Sequence, residues 1–444
     1  MKHDKIVIAG AGLVGSLLAL MLKREGFDVE VYEKRQDPRK VVKAGGRSIN
    51  LALSHRGIAP LKIAGVFDKV LPFLIPMKGR MMHDDKGSLT SQPYGMEGQS
   101  INSVSRRLLN EVLIEESEKS GVNFYFEAKC KSIAFEENTL FFENGSSVSG
   151  DLIVGADGAF SVVRQKLQSS DRFSFSQLFI DHGYKELTIE PIHGDFALDP
   201  NHLHIWPRGN FMLIALPNAD KTFTCTLFFP FEGSPSFSSL TDDEKILSFF
   251  KKYFRDTIDL IPDLLAQFHT NPTSSLVTIS CEPWNKNKTL LIGDAAHAIV
   301  PFYGQGMNSG FEDVRLLMEC AKKLNYDWKE VTSTFAKSRK KDADAISELA
   351  LHNFTEMRDH VGSSRFLKRK KLEAVLQEKF PDQWLPLYSM VTFSDIPYAH
   401  ALQLGKIQTE VINEFMTEEN EEPDHQKIID RFNNLAPNEL KAYL

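Results

Sequence analysis

Residues 5–33 read KIVIAGAGLVGSLLALMLKREGFDVEVYE, and this stretch decides the fold. The apolar run at 5–9 predicts a buried strand, and the longer apolar segment at 13–25 predicts a helix. The alternating residues at 28–33 predict a second strand, so the three elements form the start of a βαβ unit. Strands joined through a helix run parallel, and the fold class is therefore expected to be α/β.

Later segments of the sequence add strands to this sheet and then predict a second, antiparallel sheet and a helical region. Apolar segments at 122–126, 151–155 and 289–292 predict further strands of the same sheet, which would be discontinuous in sequence. Residues 174–230 alternate polar with β-branched or aromatic side chains, which predicts an antiparallel sheet. From about Gly306 onward the pattern is helical, so a helical C-terminal region is expected to cover that sheet.

The composition excludes some partners. A formal net charge of −7 over 444 residues argues against nucleic acid, which usually binds a basic face. The four cysteines show no CxxC spacing, so neither a disulfide framework nor a zinc site is indicated.

The uncharged run at 6–22 could be taken for a signal peptide, but it holds three glycines in a set register and lacks a small-residue cleavage site. No later window offers the ~18 apolar residues of a membrane span, and a soluble, cytoplasmic chain is expected.

The glycines of the first turn form a dinucleotide-binding fingerprint. Gly10, Gly12 and Gly15 follow a strand and open a helix, and Glu33 stands about 20 residues further on at the end of the next strand. Gly10 allows the tight turn, Gly12 the approach of a pyrophosphate, and Gly15 the close packing of helix on sheet. Glu33 can accept hydrogen bonds from ribose hydroxyls and disfavours a 2′-phosphate. The fingerprint alone leaves FAD and NAD both open.

Two further motifs favour FAD. The segment DLIVGADG at 151–158 is an apolar strand that runs into a turn bearing Asp157. The segment TLLIGDAAH at 289–297 places Asp294 at a strand end, where it can bind a ribityl hydroxyl. PFYGQGMN at 301–308 then leads into a helix, and its N-terminal N–H groups can hold the negative charge of a reduced flavin.

These three motifs, in this order, resemble the flavoprotein aromatic hydroxylases typified by para-hydroxybenzoate hydroxylase. The resemblance implies a discontinuous Rossmann-like FAD-binding domain, an antiparallel β-sheet substrate domain and a helical C-terminal region. It also implies no separate nicotinamide domain, and the chain has no second GxGxxG. The predicted boundaries are 1–78, 100–172 and 280–325 for the FAD-binding domain, 79–99 and 173–279 for the substrate domain, and 326–444 for the helical region.

Longer strings resemble one branch of that group, the kynurenine 3-monooxygenase family. They are GRSINLALSHRG (46–57), GRMMH (79–83), QPYG (92–95), SVSRRLLN (103–110), PFYGQGMNSGFED (301–313), HNFTEMRDHV (352–361) and PLYSMVTFS (386–394). The resemblance implies FAD as cofactor, NADPH and O₂ as co-substrates, and hydroxylation of L-kynurenine to 3-hydroxy-L-kynurenine through a C4a-hydroperoxyflavin. Two departures are Tyr303, where many relatives carry Phe, and the absence of the C-terminal membrane helix of the mitochondrial enzymes.

The resemblance also assigns site residues. It implies that Arg80 and Tyr94 bind the amino-acid carboxylate, with Asn353 and Tyr388 completing that end of the pocket. No side chain is expected to act as a catalytic base, because the aniline nitrogen itself activates the ring. The fingerprint, the two further motifs and the resemblance together give the predicted FAD contacts, which are Gly10, Gly12, Val14, Gly15, Glu33, Arg35, Ala52, Arg106, Asp157, Asp294, Gly306, Met307 and Asn308.

Residue types alone leave simpler interpretations open. Arg80 could form a structural salt bridge and Tyr94 could pack in a loop, whereas Asn353 could face solvent and Tyr388 could be a core aromatic. The runner-up function is a hydroxylase of the same fold for another aromatic acid, followed by an FAD-linked reductase or a flavin-binding sensor without turnover. The oligomeric state and the preference for NADPH over NADH stay open.

Three minor features are given simple interpretations. His202 and His204 alternate on one strand, which is more typical of a strand face than of a metal site, and His297 is expected to be structural. The basic runs at 339–341 and 368–371 are typical of a solvated helix face.

Overall fold

The computed structural model describes residues 4–41, 50–357, 364–416 and 423–444. The strings at 46–57 and 352–361 lie partly outside these residues. The strands are β1 (Lys5–Ala9), β2 (Asp28–Tyr32), β3 (Asn50–Leu53), β4 (Ile75–Met77), β5 (Gly79–His83), β6 (Leu89–Pro93), β7 (Ile101–Ser105), β8 (Asn123–Tyr125), β9 (Cys130–Ala134), β10 (Thr139–Phe142), β11 (Ser147–Ser149), β12 (Leu152–Gly155), β13 (Ser174–Ile189), β14 (His202–Pro207), β15 (Met212–Pro217), β16 (Phe223–Pro230), β17 (Thr273–Glu282), β18 (Asn285–Lys286) and β19 (Thr289–Leu291). The α-helices are α1 (Leu13–Arg24), α2 (His55–Ile63), α3 (Phe67–Val70), α4 (Arg106–Lys119), α5 (Val162–Leu167), α6 (Asp243–Tyr253), α7 (Leu264–Thr270), α8 (Asp294–His297), α9 (Gly306–Lys323), α10 (Trp328–Thr355), α11 (Ser364–Lys379), α12 (Leu387–Phe393), α13 (Tyr398–Phe415), α14 (His425–Leu435) and α15 (Asn438–Lys441).

The first sheet has the strand order β18-β19-β12-β1-β2-β8. Strand β1 lies inside it and pairs in parallel with both β12 and β2, with Ile6 opposite Leu152 on one side and Val29 on the other. Val7 and Ile8 are fully buried, which explains why the strand reads as a continuous apolar run. The predicted parallel sheet, assembled from separated stretches of the chain, is confirmed.

The second sheet has the order β17-β13-β16-β15-β14-β5-β6. The pairs β13–β16, β15–β16 and β14–β15 are antiparallel, as the alternation at 174–230 predicts. Strand β5, however, joins β14 in parallel, with Arg80 opposite Leu203. This pairing brings a segment from early in the chain into the sheet and places Arg80 on it. The predicted domain boundaries remain a prediction.

The chain from α9 onward is helical, which confirms the expected helical C-terminal region. Its core includes Trp384, Ile412 and Phe432, all fully buried, and the same cluster contains Met212 and Phe228 of the second sheet. The helices therefore pack on that sheet. No helix within the described residues combines the length and apolar character that crossing a membrane requires.

One interpretation of the charged runs is wrong. Arg339 does not lie on a solvated helix face, because its side chain is only 2% exposed and pairs with Glu312 and Asp313 of α9. A basic run on a helix can thus contain one residue that points inward. Arg369 and Lys370 of the second run are half-buried, and both pair with Glu373.

Candidate active site

A cavity of about 650 Å³ lies between the two sheets. It begins at the carboxyl ends of β1 and β12, passes the first turn of α9, and ends against β15, β16 and β5. This is where ligands bind in open α/β sheets, outside the carboxyl ends of the strands. The predicted site residues that line it are Gly10, Gly12, Val14, Glu33, Arg35, Ala52, Arg80, Tyr94, Arg106, Asp157, Asp294, Gly306, Met307 and Tyr388.

The three fingerprint glycines meet different surroundings. Gly10 has a φ of +109°, and a Cβ there would lie 2.4 Å from the carbonyl oxygen of Ala156. A Cβ on Gly15 would lie 2.1 Å from the Gly10 carbonyl oxygen, so helix and turn are too close for a side chain. A Cβ on Gly12 would meet no protein atom within 4 Å. Gly12 thus lines open cavity, whereas Gly15 packs behind it.

Glu33 holds the fingerprint turn from the next strand. Its carboxylate accepts hydrogen bonds from the backbone N–H of Ala11 and from that of Arg35, both at 2.9 Å. Each carboxylate oxygen keeps a further lone-pair site, because an ionised carboxylate offers about four. The side chain therefore fixes the loop and can still accept a hydrogen bond from a ligand hydroxyl.

Asp157 closes the second motif. One carboxylate oxygen accepts hydrogen bonds from the N–H groups of Val162 and Val163, at 2.7 and 3.3 Å. The other, Oδ1, is buried and has no hydrogen-bond partner among the residues that the structure describes. Burial raises the pKa of Asp157, and the hydrogen bonds from the following turn oppose this rise. A buried oxygen without a partner beside the cavity fits a ligand that donates a hydrogen bond.

The third motif forms the opposite wall. Asp294 begins α8 and is exposed toward the cavity, and Gly306 and Met307 begin α9. The first N–H groups of a helix have no partner within the helix and carry partial positive charge. They can therefore stabilise an anion at this position.

Asn308 is the next residue in the first turn of α9. Its side chain is fully buried and does not line the cavity. The amide nitrogen donates to the carbonyls of Ala52 and Gly304, both at 2.8 Å, and Oδ1 accepts from the Ser54 N–H at 2.9 Å. The side chain thus ties α9 to β3, and only the backbone of Asn308 remains for a ligand.

Arg80 and two tyrosines meet at the far end of the cavity. The Arg80 guanidinium carbon lies 5.4 Å from the ring centre of Tyr94 and 4.9 Å from that of Tyr388. The two rings stack with centres 5.6 Å apart, and the Tyr303 ring also stacks on Tyr388, with centres 5.5 Å apart. Burial raises the pKa of all three phenols, so they are neutral at physiological pH. A cation and neutral hydroxyl groups therefore share one pocket.

The charge of Arg80 is not neutralised by a direct partner in the described part of the chain. Its Nε is buried without a hydrogen bond, and Glu356 influences its pKa only by charge at a distance. Burial alone would lower the pKa of Arg80, but the neighbouring groups outweigh it and the pKa is raised. The interpretation of Arg80 as one half of a structural salt bridge is thus not what these residues show.

Asn353 is the one predicted substrate residue that does not line the first cavity. It is buried on α10, and its amide donates to the Phe302 carbonyl at 2.6 Å, so it does not face solvent. It lines a second, adjacent cavity of about 1200 Å³, which also touches Arg80, Tyr94 and Tyr388. All four predicted substrate residues therefore line this second cavity, and three of them, Arg80, Tyr94 and Tyr388, line the first cavity as well.

Sequence reasoning missed the apolar wall of the cavity. Met212, Ile214 and Leu216 alternate along β15 and all face the cavity, together with Phe228 of β16. Their period of two was the available signal. Tyr303 was noted only as a departure, although it lines the pocket beside Tyr388.

The three histidines singled out in the sequence are engaged with protein groups. His204 Nδ1 lies 2.9 Å from His83 Nε2, and His202 bonds to Asp199 at 2.7 Å. His297 is buried and lies 2.6 Å from a carboxylate oxygen of Asp313, as a structural role requires. Between residues 4 and 444, apart from the gaps given above, no group of three or more side chains is arranged to hold a metal ion.

Comparison with known proteins assigns the family. A family model described as FAD binding domain matches residues 4–326. The kynurenine 3-monooxygenase of Flavobacterium psychrophilum is 49% identical over 427 residues, covering 94% of this chain and 95% of the relative. The chain belongs to the kynurenine 3-monooxygenase family. The Flavobacterium johnsoniae enzyme of the same name is 50% identical, with 94% of each chain covered.

A solved structure agrees in fold. The tetrameric form of 2-methyl-3-hydroxypyridine-5-carboxylic acid oxygenase has a TM-score of 0.69 at 21% identity and covers 84% of this chain and 96% of its own. At this identity the likeness concerns the fold alone. The prediction of an FAD-dependent monooxygenase of the kynurenine 3-monooxygenase family is confirmed by the relatives and the family match.

Proposed function

We propose that this chain hydroxylates L-kynurenine to 3-hydroxy-L-kynurenine, with NADPH and O₂ as co-substrates. In the balanced reaction, one oxygen atom enters the ring, the other leaves as water, and NADPH is oxidised to NADP⁺. The observation that carries the proposal is the Arg80, Tyr94 and Tyr388 cluster at the apolar end of a cavity that begins at a dinucleotide fingerprint. The names of the relatives support the same substrate.

The cavity fits FAD. The open space at Gly12 suits a pyrophosphate, Glu33 suits a ribose, and the unpartnered Asp157 oxygen and the exposed Asp294 suit donors on the cofactor. The first turn of α9 suits the end of the cofactor that becomes negative on reduction. When bound, FAD would supply the hydride acceptor and the activation of O₂, which no amino-acid side chain can provide.

The protein's own contribution is binding and orientation. Arg80 can hold the substrate carboxylate with two parallel hydrogen bonds, and the neutral hydroxyl of Tyr94 can add a third. The wall formed by Met212, Ile214 and Phe228 would pack against the aromatic ring and exclude water. No side chain needs to act as a base, because the ring amine supplies the electron density for attack at the ortho carbon.

Product analysis tests the proposal directly. Purified enzyme with bound flavin is mixed with NADPH in air, with or without L-kynurenine, and the products are identified by chromatography and mass spectrometry. The expected product is one oxygen atom heavier than L-kynurenine, and its yield should match the NADPH consumed. A product from another aromatic acid only would favour the runner-up hydroxylase, and turnover without O₂ would favour a reductase. Parallel assays with NADH would give the nucleotide preference.

The order of events can be tested without O₂. Because the chain has one dinucleotide fingerprint, NADPH is expected to bind only transiently, and flavin reduction should be slow until substrate fills the pocket. Anaerobic stopped-flow absorbance measures the reduction rate with and without L-kynurenine. Equal rates would contradict this part of the proposal, while product formation would still stand.

We also propose a cytoplasmic location. The four cysteines all lie within the described residues and are unpaired, which suits a reducing compartment. Fractionation of the source cells with detection by antibody would test this.

A further inference from the structure

A buried chain of charges runs between the substrate end of the cavity and the flavin end. Arg56 Nη1 lies 2.6 Å from Glu312 Oε1, and Glu312 Oε2 lies 2.8 Å from Arg339 Nη2. Arg339 Nε in turn lies 2.8 Å from Asp313 Oδ1. None of these four side chains is more than 3% exposed. The group contributes no residue to either cavity, so the binding of ligands does not explain it.

At one end of this row of four charged side chains, Arg56 caps the helix that carries Tyr388. Its Nε donates to the Val391 carbonyl at 2.8 Å, and its Nη2 donates to the carbonyls of Met390 and Ile396. The last carbonyls of a helix have no partner within the helix and carry partial negative charge, so a cation is favourable there. Because α12 spans only Leu387–Phe393, fixing its last turn also fixes Tyr388 in its first.

At the other end, the chain of charges holds the flavin side. Asp313 Oδ2 accepts a hydrogen bond from the Gly293 N–H at 3.0 Å, directly before Asp294. Glu312 and Asp313 lie on α9, whose first residue is Gly306. Arg339 and neighbouring cations hold the pKa of both carboxyls low against the effect of burial, so both stay charged.

Tyr398 supports both arginines and reaches the same helix. The Arg56 guanidinium carbon lies 4.0 Å from its ring centre, and that of Arg339 lies 5.6 Å away. Its hydroxyl donates to the side chain of Gln305 at 3.0 Å, directly before Gly306. Arg56 is therefore tied to α9 directly at Glu312 and, through Tyr398, to Gln305 at the start of that helix.

We propose that Arg56 is a positioning residue for substrate binding, which holds Tyr388 in register with the flavin-binding end of α9. This inference rests on the proposed function. A buried ion pair is a poor source of stability compared with apolar packing, so its directional geometry is the feature to explain. Placement errors of about 1 Å can lower a rate about a hundredfold, which makes such a brace consequential for hydroxylation.

The test compares Arg56→Lys with a matched control. Lysine keeps the charge but presents its donors from one point, so it cannot span Glu312 and three carbonyls as the guanidinium fork does. Arg208→Lys is the control, because Arg208 also bonds several carbonyls, including those of Tyr253 and His83, but lines neither cavity. Flavin content and thermal unfolding are measured for each variant, followed by the steady-state constants for L-kynurenine and the ratio of product to NADPH consumed.

For Arg56→Lys we expect flavin content near that of the wild type, a Michaelis constant raised about tenfold, a smaller fall in kcat, and more H₂O₂ per NADPH. Arg208→Lys should leave all four unchanged. A double variant separates positioning from general damage: in a Tyr388→Leu background, Arg56→Lys should add little, because residues acting through one contact are not additive.

The outcomes are decisive in both directions. A normal Michaelis constant and normal coupling in Arg56→Lys, or full additivity with Tyr388→Leu, would overturn the positioning role while the proposed function stands. If Arg56→Lys does not fold, the isosteric Glu312→Gln variant takes its place, with the same changes expected at smaller size and with wild-type behaviour overturning the inference. A wild-type enzyme without activity on L-kynurenine would overturn the proposed function and this inference together.

Discussion

Replacement of Arg80 by alanine tests the substrate assignment most directly. The guanidinium lies beside the stacked, buried rings of Tyr94 and Tyr388, has no carboxylate partner within the described residues, and keeps a buried Nε without a hydrogen bond. Its Nε donor is therefore available to a substrate carboxylate, whereas other guanidinium donors already hydrogen-bond with the hydroxyls of Tyr94 and Tyr388. Charge-assisted hydrogen bonds of this kind contribute about 1.5–3 kcal/mol. Since ~1.4 kcal/mol corresponds to a factor of ten, the Michaelis constant for L-kynurenine should rise about 10- to 150-fold in Arg80→Ala.

The assay is NADPH oxidation over a range of L-kynurenine concentrations, with released flavin measured on the same preparation. Arg80→Lys should lie between the wild type and Arg80→Ala, because an ammonium group keeps the charge but not the fork. The decarboxylated analogue of L-kynurenine serves as a matched ligand, and its apparent affinity should not fall in Arg80→Ala. A near-normal Michaelis constant for L-kynurenine in Arg80→Ala with full flavin content would refute the carboxylate assignment and favour another aromatic substrate.

Three further outcomes are expected. Gly12→Val should fold but lose FAD, because the valine side chain would enter the open cavity. Gly15→Val should fail to fold, since a Cβ at that position would lie 2.1 Å from the Gly10 carbonyl oxygen. Flavin absorbance and thermal unfolding distinguish the two variants. Tyr94→Phe should raise the Michaelis constant only about 2- to 12-fold, because a neutral hydrogen bond contributes ~0.5–1.5 kcal/mol, and a loss equal to that of Arg80→Ala would contradict this. The pKa values of Glu312 and Asp313 are lowered in the folded protein. The stability that their ionised forms give the fold is therefore complete above the ordinary values of 4.5 and 3.8, and it is lost as pH falls through the lower folded values. In Glu312→Gln, Tm measured against pH should therefore fall less steeply below about pH 4.5 than in the wild type.

The flavin side of the site could be predicted from the sequence because its determinants are local. Gly10, Gly12 and Gly15 each answer a backbone requirement within one turn, and the structure shows a separate steric reason at each. Glu33 reaches the same turn from the next strand, through the parallel pairing that the βαβ pattern already implies. Short-range patterns determine short-range geometry, and here they were sufficient.

The substrate side depends on contacts that no local pattern contains. Arg80 reaches the cavity because β5 pairs in parallel with β14, and Tyr388 reaches it from a helix near the end of the chain. Family resemblance named both residues and also Asn353, and all three line the adjacent cavity. Arg56 shows most clearly that local patterns do not identify distant partners, since its Nε donates to the Val391 carbonyl, which lies 335 positions away in the chain. Periodicity within a segment carries no information about such partners.

The sequence did contain a signal that an arginine such as Arg339 is buried, namely the two consecutive acidic residues of α9. A basic run predicts a solvated face when each charge can reach water, but α9 presents the consecutive acids Glu312 and Asp313 among buried residues such as Phe311 and Val314. Buried acids require cationic partners, because an uncompensated charge in the interior is costly. Two acids inside an apolar helix thus predict that some arginine elsewhere turns inward, although they do not say which one.

Arg80 differs from Arg339 in its partners, and this difference suggests how the pocket would select its ligand. Arg339 has its carboxylates within the protein, whereas Arg80, also enclosed by aromatic rings, has none among the described residues. A partly desolvated cation that has only neutral hydroxyl partners and no carboxylate is unfavourable in the free enzyme, and a ligand carboxylate would relieve that cost on binding. A neutral aromatic ligand of the same shape would leave the cost in place. If Arg80 binds the substrate carboxylate as proposed, discrimination for an anionic substrate would arise from a contact that the folded protein leaves unmade, and Arg80→Ala should weaken this discrimination even where the ring still fits.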